Sequence, residues 1–229
     1  MAFPTSPSNN QVHSEGNRKW VWDSASSTWD QVGESAGVQS PYNHLPGSVV
    51  QVTRGFNGDA STATLSDLGH SATPVTALTE FVYGDITPHY YDSKILVMWN
   101  VRFSCGGADF HAINLVGEIF DPGSLGRRRI VAANQSGNNR YRSTYAGQMR
   151  ENHNANDYAL NSVSDQWLDD PRESMNFVGN GQKLRYTVVI GRYTAGGTVY
   201  INRTITHRDH ADGYDGCNTC TMTLMEVKQ

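Results

Sequence analysis

The run from Thr206 to Cys220 holds the densest set of side chains able to do chemistry: His207, Arg208, Asp209, His210, Asp212, Tyr214, Asp215, Cys217 and Cys220. Imidazole, carboxylate and thiolate are all ligand types for zinc, and Cys217 and Cys220 have the two-residue gap of a zinc knuckle. His207, His210, Cys217 and Cys220 are therefore the candidate metal ligands. One Cys-x-x-Cys is a weak signal, because a structural zinc site normally brings four ligands in two spaced pairs. The alternative is a polar loop leading into a final strand in which the cysteines act as small residues. No cofactor is expected.

Catalytic patterns are weaker still. His207-Arg208-Asp209 matches the kinase catalytic triplet, but neither its downstream Asn nor a glycine-rich phosphate loop accompanies it. Asp169-Asp170, or Asp212 with Asp215, are paired carboxylates of the kind a glycosidase needs across a scissile bond. No nucleophile elbow, P-loop or His-Glu-x-x-His run supports an enzyme. The expectation is a non-enzymatic protein.

Binding chemistry has better candidates. Tyr141, Arg142, Tyr145, Tyr158 and Trp167 sit among Asn, Ser, Arg and Asp, a mixture in which rigid aromatic area is combined with groups that bond sugar hydroxyls. They form either a receptor contact or a contact with a neighbouring subunit. A second aromatic set comes from Trp20, Trp22 and Trp29, three of the five tryptophans. On strands, Trp20 and Trp22 share a face and Trp29 can lie across from them.

The elements that must position these residues follow from composition. The chain has 229 residues, 38% hydrophobic but only 17% charged, with 22 Gly. Such a chain puts its polar residues into turns and uncharged surfaces rather than into Lys/Glu-rich helix faces, which favours an all-β fold. A formal charge of -4 gives no basic field for nucleic acid, and Arg127-Arg128-Arg129 reads as a solvated strand edge or subunit contact. No run approaches the roughly 18 apolar residues of a membrane span. Met1-Ala2-Phe3-Pro4-Thr5 lacks the basic and apolar regions of an export leader, so synthesis in the cytoplasm with reduced cysteines is expected.

Three regions are expected. Residues 1–33 form a three-stranded aromatic module too small to be stable alone. Residues 34–47, rich in Gly, Ser, Pro and Asn, form a linker or arm. Residues 48–229 carry short β-rich runs at 48–53, 75–83, 94–104, 113–120, 128–133, 174–178, 184–193, 198–206 and 219–227, which suit an antiparallel two-sheet sandwich of jelly-roll type. The alternation of Ile95, Val97, Trp99, Val101 and Phe103 marks one strand with a core face. Gly196-Gly197 predicts a tight hairpin near 193–198. The stretch 133–170 is the poorest in strand signal and reads as a long functional loop.

Asp85-Ile86-Thr87-Pro88 followed by Ser93-Lys94-Ile95-Leu96-Val97, and the closing run Met222-Thr223-Leu224-Met225-Glu226-Val227, resemble the jelly-roll tips of tailed-phage fibres and related virion appendages. The Trp-x-Trp-Asp and Trp-Asp pattern at Trp20, Trp22 and Trp29 similarly resembles small modules at the starts of phage tail and baseplate proteins. The resemblance implies a homotrimer on the tail or capsid surface of a virion, with residues 1–33 attaching to other virion proteins. It also implies a jelly roll that adheres to a host-surface glycan or protein as a tail fibre or receptor-binding protein. The alternative within the same class is a capsid decoration or cement (head-fibre) trimer that stabilises the phage shell. A lectin-like or cytokine-like domain outside any virus is a third reading.

Overall fold

A computed structural model describes residues 4–9, 11–15, 18–24, 27–32, 44–66, 78–106, 109–120, 128–130, 144–149, 160–179, 181–192, 196–206 and 217–229. The chain divides into two compact units, Met1–Leu45 and Pro46–Gln229. In the first, β1 (Val12–Glu15), β2 (Arg18–Asp23) and β3 (Thr28–Val32) form an antiparallel meander in which β2 is central.

The second unit is an antiparallel two-sheet sandwich, the all-β fold expected of the composition. Its elements in chain order are β4 (Val49–Asn57), β5 (Ser61–Thr64), β6 (Thr79–Ile86), β7 (Lys94–Gly106), β8 (Asp109–Ile119), β9 (Arg128–Arg129), β10 (Tyr145–Met149), β11 (Asn161–Asp169), α1 (Pro171–Met175), β12 (Leu184–Arg192), β13 (Thr198–Ile201) and β14 (Cys220–Val227). One sheet contains β4, β14, β7, β13, β5 and β11; the other contains β10, β8, β12 and β6, with β9 also on β8. Among the described residues no helix is long and apolar enough to cross a membrane.

The core explains why these runs are strands. Ile95, Val97, Trp99, Val101 and Phe103 of β7 are all buried, and they meet Leu184, Tyr186, Val188 and Ile190 of β12 and Ile113 and Leu115 of β8 in one cluster. Phe81 of β6 reaches Phe103 across the sandwich, with ring centroids 5.0 Å apart, a tilted packing favoured by aromatic quadrupoles. Strand β8 is buried on both faces: Ala112, Asn114 and Val116 are as inaccessible as the core residues between them. Val116 packs with Val189 and Leu78 in a second, small cluster behind the sheet.

Three expectations are corrected. The run 174–178 is not a strand: Asp170 caps α1 by accepting from the Arg172 N–H, Pro171 occupies the first turn, and Asn176 ends the helix in the left-handed region at φ 59°. The hairpin near 193–198 is a crossover, because β12 pairs with β8 and β6 whereas β13 pairs with β7 and β5 in the opposite sheet. Gly196 and Gly197, at φ 108° and 78°, instead bond the Leu65 main chain: Gly196 N–H donates to Leu65 O and Leu65 N–H donates to Gly197 O. The stretch 133–170 is not one long loop, since it contains β10 and the nine-residue β11.

Candidate functional site

Among the described residues, a site-like surface lies on the outer face of the six-stranded sheet. On β7, β14 and β11 the inward residues alternate with outward ones, and the register aligns the outward residues in rows. Ser164, Asn100, Thr221 and Phe56 form one row across β11, β7, β14 and β4; Gln166, Met98, Thr223 and Arg54 form the next; Leu168, Leu96, Met225 and Val52 form a third. The first two rows enclose most of an open groove of about 530 Å³, lined by Met98, Trp99, Asn100, Ser164, Asp165, Gln166, Thr221 and Thr223.

Its side chains are ordered by one another. Asn100 Nδ2 donates to Ser164 Oγ and, at 3.4 Å, to Ser162 Oγ, while its Oδ1 accepts from Arg102 Nε at 3.1 Å. Asp165 Oδ1 accepts from the Gln166 N–H at 2.8 Å. Phe56, 61% exposed, is the register partner of Thr221 on β4, with the Arg54 guanidinium 5.8 Å from its ring centroid. The third row is apolar, with Val52 and Leu168 exposed.

Trp167, expected as a binding aromatic, lies on β11 opposite Val97 and is 45% exposed. It shares a face with Val163, which packs on the core, and with buried Asp169. The middle of β11 is thus left uncovered at the margin of the sandwich. Tyr145 begins β10 and pairs with Ile113. Tyr141, Arg142 and Tyr158 lie outside the described residues.

In the first unit Trp22 pairs directly with Trp29, their rings 5.6 Å apart, and Trp20 pairs with His13 at 5.8 Å. His13 also meets Trp29 edge-on at 5.9 Å. Trp20 is buried and the other two tryptophans are half-buried. The two-residue period thus brings all three rings to one face.

The candidate metal ligands separate. Cys217 is exposed and sits on an isolated bridge to Arg203, whereas Cys220 is fully buried at the start of β14. The Cys220 Sγ donates to Asn202 Oδ1 at 3.0 Å and accepts from the Arg102 N–H at 3.3 Å. Burial pushes its thiol up to about 11 and that of Cys105 to about 12, so neither is disposed to be a thiolate. His207, His210, Asp212 and Asp215 lie outside the described residues, and no cluster of three metal-ligating side chains occurs among the described ones.

Asp169 and Asp170 have divergent environments. Asp169 accepts from Tyr186 Oη at 2.6 Å and Ser174 Oγ at 2.9 Å, and burial outweighs these bonds to raise its pKa. The bonds from Arg172 hold Asp170 below the ordinary value, and its carboxylate pairs with that guanidinium at 2.6 Å. One ties β11 and α1 to β12; the other caps α1.

The groove residues Asn100, Ser164, Gln166, Thr221 and Thr223 were not singled out by sequence reasoning. Their only local signal is an uncharged polar residue at alternate positions of strands whose other face is apolar. No protein-family model matches the chain, and no curated protein matches it. Among solved structures, one of infectious bursal disease virus, Gx strain, is similar over 85% of this chain and 46% of that chain, at 9% identity and a TM-score of 0.35. The chain therefore spans less than half the length of the structure it matches, and a likeness of this degree carries no inference about function.

Proposed function

We propose that this chain is a non-enzymatic structural protein of a phage virion, a homotrimeric tail fibre or receptor-binding protein that attaches the particle to its bacterial host. The observation that carries this reading is the open groove on the outer sheet face. Its polar lining is presented by paired strands rather than by loops, which pre-organises a contact surface. Trp167, 45% exposed on the other face of β11, adds a rigid aromatic of the kind enriched at recognition surfaces. Three copies would multiply a weak single contact into useful avidity.

The tryptophan face of the first unit supports a tether to other virion proteins, since aromatic side chains dominate interface energetics. Neither nucleic acid nor membrane insertion is part of this reading. Deleting the chain tests it: particles without it should fail to adsorb to host cells and regain adsorption when it is supplied. Normal adsorption without it would remove the proposal.

A second reading is favoured by the apolar row Val52, Met225, Leu96 and Leu168. An apolar band across four strands suits packing against a neighbouring shell subunit, as in a capsid decoration or cement trimer. Copy number per particle separates the two. A few copies on the tail support adhesion, and hundreds on the head support decoration.

A further inference from the structure

The two polar rows of the outer face differ from an ordinary solvated sheet surface. Lys and Glu are absent from them, and the one carboxylate lining the groove, Asp165, is bonded to the next residue's N–H. Ser164 is fixed by Asn100, but the hydroxyls of Thr221 and Thr223 and the carboxamide of Gln166 make no hydrogen bond to another described residue. Apart from Asp165, the groove therefore presents uncharged donors and acceptors on paired strands, with Met98 between Gln166 and Thr223 and Phe56 next to Thr221 in its row.

This pattern selects among ligands. An anionic ligand would need a cation within the groove, whereas no Lys or Arg lines it: Arg54 stands near the Phe56 ring and Arg102 Nε is taken up by Asn100 Oδ1. An apolar peptide would strip water from the hydroxyls and the amide and return no hydrogen bonds, which is costly for each group. A strand cannot add to the groove, because β7 and β14 are paired on both sides. A pyranose ring meets both demands: hydroxyls at its rim reach Gln166, Thr221 and Thr223, and its C–H face covers Met98 or Phe56.

We propose that the groove between β11, β7 and β14 binds a short uncharged oligosaccharide, with Gln166, Thr221 and Thr223 as the hydrogen-bonding residues and Phe56 as the apolar contact. The proposal rests on the adhesion reading and names the ligand class of that site. The test probes an array of purified neutral and acidic bacterial surface oligosaccharides with the full chain and with three variants. Wild type should capture neutral glycans; Gln166→Ala should weaken capture about tenfold, the effect of losing one or two good hydrogen bonds.

Ser164→Trp and Thr223→Lys, both outward on the sheet, should abolish capture with circular dichroism unchanged. Binding only to acidic glycans, no binding to any glycan, or capture unaffected by both folded variants would overturn the proposal. The two readings fail separately. If particles carrying Ser164→Trp adsorb normally while particles lacking the chain do not, the groove is wrong and adhesion stands.

Discussion

Asp169 and Glu226 flank Ile95 from opposite sides in the same row of the sheet, both inward and both buried, yet their pKa values are shifted in opposite directions. Burial pushes the Glu226 carboxyl up. The N–H groups of His89 and Tyr90 and the Gln51 carboxamide together outweigh it and hold the pKa below its ordinary value. Those bonds, at 2.9, 3.0 and 2.7 Å for His89, Tyr90 and Gln51, pin the turn between β6 and β7 to the C-terminal strand. A lowered carboxylate pKa contributes stability that is present above the unfolded value and lost as pH falls through the folded one. Glu226→Gln should therefore destabilise by about 2 kcal/mol near neutral pH, with the difference from wild type shrinking below about pH 4.5 in urea titrations. Asp169 is the reverse case: its raised pKa makes its protonated form the better fit, a contribution lost as pH rises through the folded value. Asp169→Ala should cost about 1–3 kcal/mol by leaving the Tyr186 hydroxyl without its acceptor. Asp169→Asn, which keeps an acceptor and removes the buried charge, should cost much less in the same titration.

At the scale of elements, the flank where β4 meets β6 is closed by side chains rather than by a ladder. Gln51, Thr53 and Asn57 donate to the carbonyls of Thr87, Asp85 and Phe81 at 2.7, 2.9 and 2.7 Å. A Cβ on Gly55 would collide with the Tyr83 carbonyl, so the approach depends on glycine. Gly55→Ala should lower stability by about 1–3 kcal/mol, the usual cost of overpacking, measurable as a reduced melting temperature. Strands β7, β12 and β14 were legible because alternating large apolar residues face a core. Strand β11 was not: Val163 is its one apolar residue on the core, and its nine-residue register with β7 is set by a partner some sixty positions away. Gly196-Gly197 marked a turn correctly in its backbone but gave no sign of which sheet follows it. The groove was illegible for a similar reason, since Asn100, Ser164 and Thr221 meet only through sheet order. Trp167 was legible as an accessible aromatic because few apolar residues surround it in sequence.

At the scale of the molecule, the proposed trimer needs a subunit contact, and the apolar row is one candidate surface for it. Leu168→Lys, at an already exposed position, should leave the melting profile of the fold within about 0.5 kcal/mol while shifting light-scattering mass from three copies toward one. An unchanged mass would place the contact elsewhere. The closed β4–β6 flank has a further consequence for assembly. Sheets that polymerise need an acceptor edge on each side of the module. Here the carbonyls of Phe81, Asp85 and Thr87 are already occupied on that flank, whereas the outer edge of β11 carries no strand among the described residues. A strand arriving from another chain finds open edges at β5, β10 and β11 among the described residues, and none at this flank. Edge pairing is therefore steered away from the β4–β6 flank and toward the opposite end of each sheet.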